Sequence, residues 1–218
     1  MNTIILSKSN SILSQFMSEI RDKNVQKDRM RFRRNLERIS EILAYEMSKS
    51  LPYVSYNTET PLGIHTGVKI KDDIVICSIL RAGLPSHMGV LNYFDHAENA
   101  FISAYRKTNA DHSFNIEVEY AACPNIAGKT LLIVDPMLAT GASILAVYSS
   151  LLKFGQPKHL HILSILGSKA GCEKLEEELP KDCSLWIGDV DNELNAKKYI
   201  IPGLGDAGDL AFGTKTSG

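Results

Sequence analysis

TLLIVDPMLATGAS, residues 130–143, is the stretch from which the fold can be read. Leu131, Leu132, Ile133 and Val134 make a short apolar run between Lys129-Thr130 and Asp135-Pro136. Such a run fits a strand buried on both faces, as inside a parallel sheet. Pro136 has no backbone N–H, so the chain must turn there. Residues 137–142 make a small loop, after which Ile144, Val147, Tyr148, Leu151 and Leu152 recur at helical spacing. A strand, a short loop and a helix form a ready anion site, because free N–H groups and the positive end of the helix dipole point into the loop. Thr140 and Ser143 add hydroxyl donors, and Asp135 adds an acceptor at the strand's carboxyl end. A phosphate alone has no use for an acid there; a sugar diol does. The stretch is built for a phosphorylated sugar. Helix capping alone would account for Thr140-Gly141-Ala142-Ser143, but it leaves the buried strand and its terminal acid unexplained.

Working outward, 218 residues at 44% hydrophobic content can bury a sizeable core. One domain, residues 1–218, is the economical division, with a helical N-terminal appendage over about 1–52. A net charge of −1 gives no global field to hold nucleic acid. Cys77, Cys123, Cys172 and Cys183 lie far apart with no CxxC pair, and Cys77 sits in an apolar pattern as a small buried hydrophobe. No basic-then-apolar leader opens the chain, and no apolar run approaches the length of a membrane span. The expected setting is soluble, reducing and cytoplasmic.

Upstream, residues 9–21 read as a short amphipathic helix and residues 29–50 as a longer one, with Phe32, Leu36, Ile39, Leu43 and Met47 at helical spacing. Arg29, Arg31, Arg33, Arg34 and Arg38 make the second helix basic. Glu37, Glu41 and Glu46 interleave and no aromatic platform accompanies them, so a solvated or subunit-contact face is expected rather than an RNA-binding one. Residues 54–71 suggest short strands and turns. IVICSIL at 74–80 is a second apolar strand, followed at once by Arg81-Ala82-Gly83. Residues 99–105 read as another strand, 109–113 as a polar turn, and 116–120 as an exposed hairpin strand. Strands at 158–166 and 184–187 flank a helix at 169–179. Strands alternating with helices from Ile74 onward argue for α/β with a largely parallel sheet.

Two motifs are decoys. Gly128-Lys129-Thr130 suggests a Walker A loop, but Cys123 stands where its first glycine belongs, and the motif leads into a strand instead of a helix. GLGDAG at 203–208 matches G-x-G-x-x-G, yet no βαβ unit or distant acid follows it. Glycines this dense let backbone approach something flat or small. With Tyr199, Ile200, Ile201 and Pro202 as a stiff apolar lead-in, a planar base held by main-chain groups suits them.

The string VDPMLATG at 134–141 closely resembles the phosphoribosyl diphosphate (PRPP) motif of uracil phosphoribosyltransferases. Most other phosphoribosyltransferases carry two adjacent acids where this chain has Asp135-Pro136. ILRAGL at 79–84, Tyr105-Arg106, and YIIPGLGDAGDLAFGT at 199–214 fall in that family's order and rough spacing. The resemblance implies a type I phosphoribosyltransferase-like fold: a mainly parallel central sheet flanked by helices, with N-terminal helices and a β-hairpin arm. It implies transfer of the 5-phosphoribosyl group from PRPP to uracil, giving UMP and diphosphate in pyrimidine salvage. Mg²⁺ would arrive with PRPP, with no side chain assigned as its direct ligand. By motif match, Arg81 and Arg106 meet the diphosphate. Asp135, Pro136, Met137, Leu138, Ala139, Thr140, Gly141, Ala142 and Ser143 hold the ribose and its 5′-phosphate. Ile200, Gly205, Asp206 and Ala207 hold uracil, with Asp206 also on the PRPP side. Asp135, Asp206 and Arg106 are the candidate catalytic residues, and the 109–113 turn is a candidate lid. A homodimer or higher homo-oligomer is implied, with no nucleic-acid or membrane partner.

Two departures from the family pattern stand out. Ala142 replaces a common glycine, and Pro85-Ser86-His87-Met88 replaces small residues or Met and an acid. His87 is expected either to cap a helix or to replace the lost acid. A different class, a nucleotide-sensing RNA-binding regulator on the same fold, would need a concentrated basic face, for which 29–38 is the sole candidate.

Overall fold

The computed structural model describes residues 1–108 and 114–215, and for 105–108 and 114–117 it gives the backbone alone. The chain opens with strand β1 (Asn2–Ile5) and helices α1 (Ile12–Arg21) and α2 (Arg29–Ser48). Strands β2 (Tyr53–Thr60) and β3 (Gly63–Ile70) pair antiparallel as a separate arm. Then come β4 (Ile74–Leu80), α3 (Gly83–Leu91), β5 (Glu98–Thr108) and β6 (Phe114–Ala122). Strands β7 (Thr130–Val134) and β8 (Met137–Leu138), α4 (Ala142–Leu151), β9 (His159–Ser168), α5 (Lys169–Glu178) and β10 (Ser184–Asp191) follow. Short strands β11 (Glu193–Leu194) and β12 (Ile200–Ile201) and helix α6 (Ala207–Phe212) complete the described chain.

Local chemistry explains the helices. Ser11 caps α1, its Oγ accepting from Leu13 N at 3.2 Å, and Leu13, Met17 and Ile20 form the buried stripe. Asp28 caps α2 by accepting from Arg31 N at 3.0 Å, and Phe32, Leu36, Ile39, Leu43 and Met47 face inward. The main sheet runs β1-β10-β9-β7-β4-β5-β6, parallel throughout except where β6 turns back antiparallel on β5. Its two faces carry separate cores. In β7, Leu132 and Val134 join α1 and α2 on one side, while Leu131 and Ile133 join Ile144, Val147 and Leu175 on the other. Each such buried side chain contributes roughly 1.5–3 kcal/mol.

The N-terminal helices, expected as an appendage, share one core with Ile76, Leu163 and Trp186 of the sheet. The segment expected to hold short strands is one long hairpin arm, with Leu62, Ile64 and Val68 exposed along it. The strand expected as an exposed hairpin is β6, an edge of the main sheet. Strand β1, four residues at the opposite edge, has no local signal. The polar turn and candidate lid at 109–113 lie outside the described residues. No helix among the described residues is long and apolar enough to cross a membrane.

The chain leaves β4 for β5 on one side and returns to β7 on the other. The carboxyl ends of β4 and β7 therefore flank a topological switch point, the crevice where open α/β sheets bind ligands.

Candidate active site

A cleft of about 650 Å³ opens at that crevice. The structure brings Arg81, Asp135, Met137, Leu138, Ala139, Thr140, Gly141, Ser143, Ile200, Gly205, Asp206 and Ala207 to its walls. Pro136 and Ala142 do not line it, so the methyl that replaces a common glycine is not on the cleft wall. Arg106 belongs to β5, and its side chain lies outside the described residues. Lys197, Lys198 and Lys215 line the cleft and were not anticipated. The only signal for them was Lys-Lys set directly before Tyr199, with a third lysine just past the glycine-rich string.

The loop after β7 is shaped by its floor. Gly141 begins α4 at φ +76°, with no side-chain cap on the helix, so first-turn N–H groups face the loop. Beneath it, Ser168 Oγ donates to Ala139 O at 2.5 Å and accepts from Gly171 N at 2.9 Å. A Cβ on Gly171 would come within 2.5 Å of the same Ala139 carbonyl, so only glycine lets α5 approach. The loop is thus fixed by backbone packing rather than by charge.

Asp135 is 9% exposed, and its Oδ1 accepts from Met137 N at 3.2 Å. Burial pushes its carboxyl up to about 7, with the Met137 N–H pulling the other way. No cation pairs with it among the described residues. A charge on Asp135 therefore awaits a partner of positive character or a pair of hydroxyl donors.

Across the cleft, the loop after β4 carries Arg81, preceded by a cis Leu80–Arg81 peptide. Arg81 Nη2 pairs with Asp209 Oδ1 at 2.9 Å, and Nη1 donates to Gly213 O at 3.3 Å. A Cβ on Gly83 would sit 3.1 Å from Val134 O, which keeps the start of α3 against β7. His87 neither caps a helix nor faces the cleft. It is 1% exposed, and burial lowers its pKa, keeping it neutral. Asn99 Nδ2 donates to Ala97 O at 3.0 Å, which turns Asn99 Oδ1 toward His87 Nε2 at 2.8 Å. Nε2 must then carry the proton, and Nδ1 accepts from Ser78 Oγ at 2.6 Å. This chain, buried at Ser78 and His87 and exposed at Asn99, ties β4 to α3 across the Arg81 loop and α3 to β5.

The third wall is the C-terminal segment. Asp206 caps α6 by accepting from Asp209 N at 3.0 Å, and Gly205 takes φ +98°. Helix α2 lies behind it: Arg33 Nη1 donates to Ala211 O at 2.7 Å, and its guanidinium stands 6.0 Å from the Phe212 ring. Three of the other four arginines are likewise paired or packed, and Arg29 is exposed. Arg31 meets Glu19 at 2.8 Å, Arg34 meets Glu37 at 2.7 Å, and Arg38 lies over Phe16. Four of the five arginines thus make contacts within the chain.

An open parallel sheet whose switch point gathers a helix-end anion loop, a buried acid and a glycine-rich segment places the chain among phosphoribosyltransferases of the type I fold. A solved protein from Aquifex aeolicus superposes with a TM-score of 0.87 at 28% identity, covering 99% of this chain and 100% of that one. The family model for uracil phosphoribosyltransferase matches residues 7–214, and the chain belongs to that family. It is 47% identical over 215 residues to the uracil phosphoribosyltransferase of Porphyromonas gingivalis, covering 99% of this chain and 100% of that one. The uracil phosphoribosyltransferase of Thermococcus gammatolerans is 37% identical over 204 residues, covering 92% of this chain and 89% of that one.

Proposed function

We infer that the chain transfers the 5-phosphoribosyl group of PRPP to uracil, giving UMP and diphosphate. The observation that carries this reading is the meeting of the α4 loop, Asp135 and the 200–207 segment in one cleft. The bond from ribosyl C1 to diphosphate breaks, a bond to uracil N1 forms, and the N1 proton is lost. The 5′-phosphate sits on the N–H groups at the start of α4, with Thr140 and Ser143 as added donors. Asp135 faces the ribose, where its negative charge favours the cationic character that C1 develops as diphosphate leaves. Arg81 and Arg106 receive the diphosphate, and for Arg81 this means exchanging Asp209 for a more highly charged partner. Uracil's alternating carbonyl and N–H edge meets main-chain groups of Ile200 and 205–207. Cytosine presents a donor where uracil accepts, and each buried donor left unpaired costs about 1–3 kcal/mol.

Mg²⁺ fits this donor set as a companion of the substrate. It would be carried by oxygens of PRPP, with the cleft carboxylates Asp135 and Asp206 beside it. When bound, it neutralises charge on the departing diphosphate. A cytoplasmic setting belongs to the same reading, supported by four free cysteines, two of them in the core. A homo-oligomer is supported by the exposed arm, since an isolated two-stranded hairpin is marginal in water. With four of its five arginines paired or packed against the same chain, the 29–38 segment lends little support to an RNA-binding regulator.

The test is a coupled assay of PRPP with uracil, cytosine, hypoxanthine and orotate side by side. UMP formation from uracil, with the other bases at least about tenfold poorer, is expected. Equal turnover of another base would overturn the assignment.

A further inference from the structure

The turn that delivers the C-terminal segment to the cleft is made at Gly203, at φ +60°, where a Cβ would fall on the Ile200 carbonyl. Both main-chain polar groups of this glycine are held by side chains that do not line the cleft. Gly203 N donates to Asp191 Oδ2 at 2.9 Å, and Gly203 O accepts from Arg21 Nη1 at 3.1 Å. Arg21 and Asp191 grip each other as well, Nη1 to Oδ2 at 2.8 Å and Nη2 to Oδ1 at 2.9 Å. Nη2 reaches on to Asp189 at 2.8 Å. One residue further along, Leu204 O accepts from Gln26 Nε2 at 3.1 Å, and the same Nε2 donates to Ile20 O at 2.9 Å. Two consecutive residues just before the base-facing backbone are therefore anchored to the end of α1 and the turn after it.

We propose that Arg21, with Asp191, is a positioning residue for base selectivity, acting through the main chain of Gly203 and Leu204. The inference rests on the reading that 200–207 holds the base. A base read by main-chain groups cannot be sorted by changing a side chain at the contact. What can vary is the angle and distance at which the backbone meets it, and those are set where the backbone is anchored. A displacement of 1 Å at such a contact costs on the order of a hundredfold in rate. The pair is also shielded: the Asp191 side chain is 9% exposed and that of Arg21 20%. A forked guanidinium suits the task, since it holds a carboxylate and a carbonyl together, which an ammonium cannot do in one geometry.

The experiment compares Arg21→Lys, Asp191→Asn and Ala207→Val in the full chain, measuring KM for uracil and for PRPP, the uracil-to-cytosine ratio of kcat/KM, and the thermal midpoint. Arg21→Lys is expected to raise KM for uracil and to lower the selectivity ratio, each about tenfold or more, while KM for PRPP stays within about twofold. Asp191→Asn, which keeps an acceptor for Gly203 N but loses the charged grip on Arg21, should act in the same direction, and it carries the measurement if Arg21→Lys does not fold. A lowered midpoint with both KM values and the ratio unchanged would make the pair purely structural and overturn the proposal. Ala207→Val separates the two layers. If it harms uracil saturation while the Arg21 and Asp191 variants do not, the clamp fails alone. If none of the three moves uracil saturation in a protein that binds PRPP, the base assignment itself is wrong.

Discussion

Asp135 is the residue whose surroundings fit it least well until a substrate is present. An ordinary carboxyl titrates near 3.9, whereas burial holds this one at about 7. Between about pH 4 and pH 7 the folded chain keeps a proton that the unfolded chain releases. Stability of the ligand-free protein therefore falls as pH rises through that window, and the whole penalty is present above it. Asp135→Asn keeps the acceptor for Met137 N and removes the charge. The variant should match the parent near pH 4 and exceed it at pH 8, by at most about 4 kcal/mol. Its kcat should fall far more than its PRPP affinity weakens. Urea midpoints at the two pH values, set beside kcat, check both halves. A variant less stable at pH 8 would mean that the acid sits comfortably where it is.

At the scale of elements, close approach of helices matters more than any single contact. Helix α3 crosses α2 at Gly89, where a Cβ would fall on the Glu37 carbonyl. Gly89→Ala should lower the unfolding free energy by about 1–3 kcal/mol despite its better helix propensity, as urea denaturation would show. An unchanged midpoint would mean that α2 and α3 can part without loss. Elements with one strong period were legible in the chain: α2 through Phe32, Leu36, Ile39, Leu43 and Met47, and β7 through its apolar run. The three cleft walls were legible as well, because each is a contiguous string with its own local chemistry. What escaped depends on partners that only folding brings together. His87 gives no hint in sequence of Ser78 and Asn99, and Arg21 gives none of Asp191, because a buried polar group is defined by what folding brings beside it. Strand β1 has only four residues and exists because β10 offers an edge.

For the whole molecule, the unexplained surface is the β2–β3 arm. Leu62 is fully exposed, and Ile64 and Val68 are 76% and 69% exposed. Ile64→Glu combined with Val68→Glu should reduce the mass measured by light scattering toward that of a single chain. An unchanged mass would remove the arm from any contact between copies. The pairing of β1 with β10 has a consequence in time. Asn2 lies opposite Ser184, and the stripes of α1 and α2 are covered by Leu163, Trp186, Leu204 and Ala211. A ribosome adds roughly 5–20 residues each second, so this part of their cover arrives several seconds after the helices themselves. In that interval α2 can close on α1 and on α3, which packs against it at Gly89, while its face toward β9 and β10 stays open. Strand β1 has no neighbour in the sheet until Ser184–Ile187 have been made.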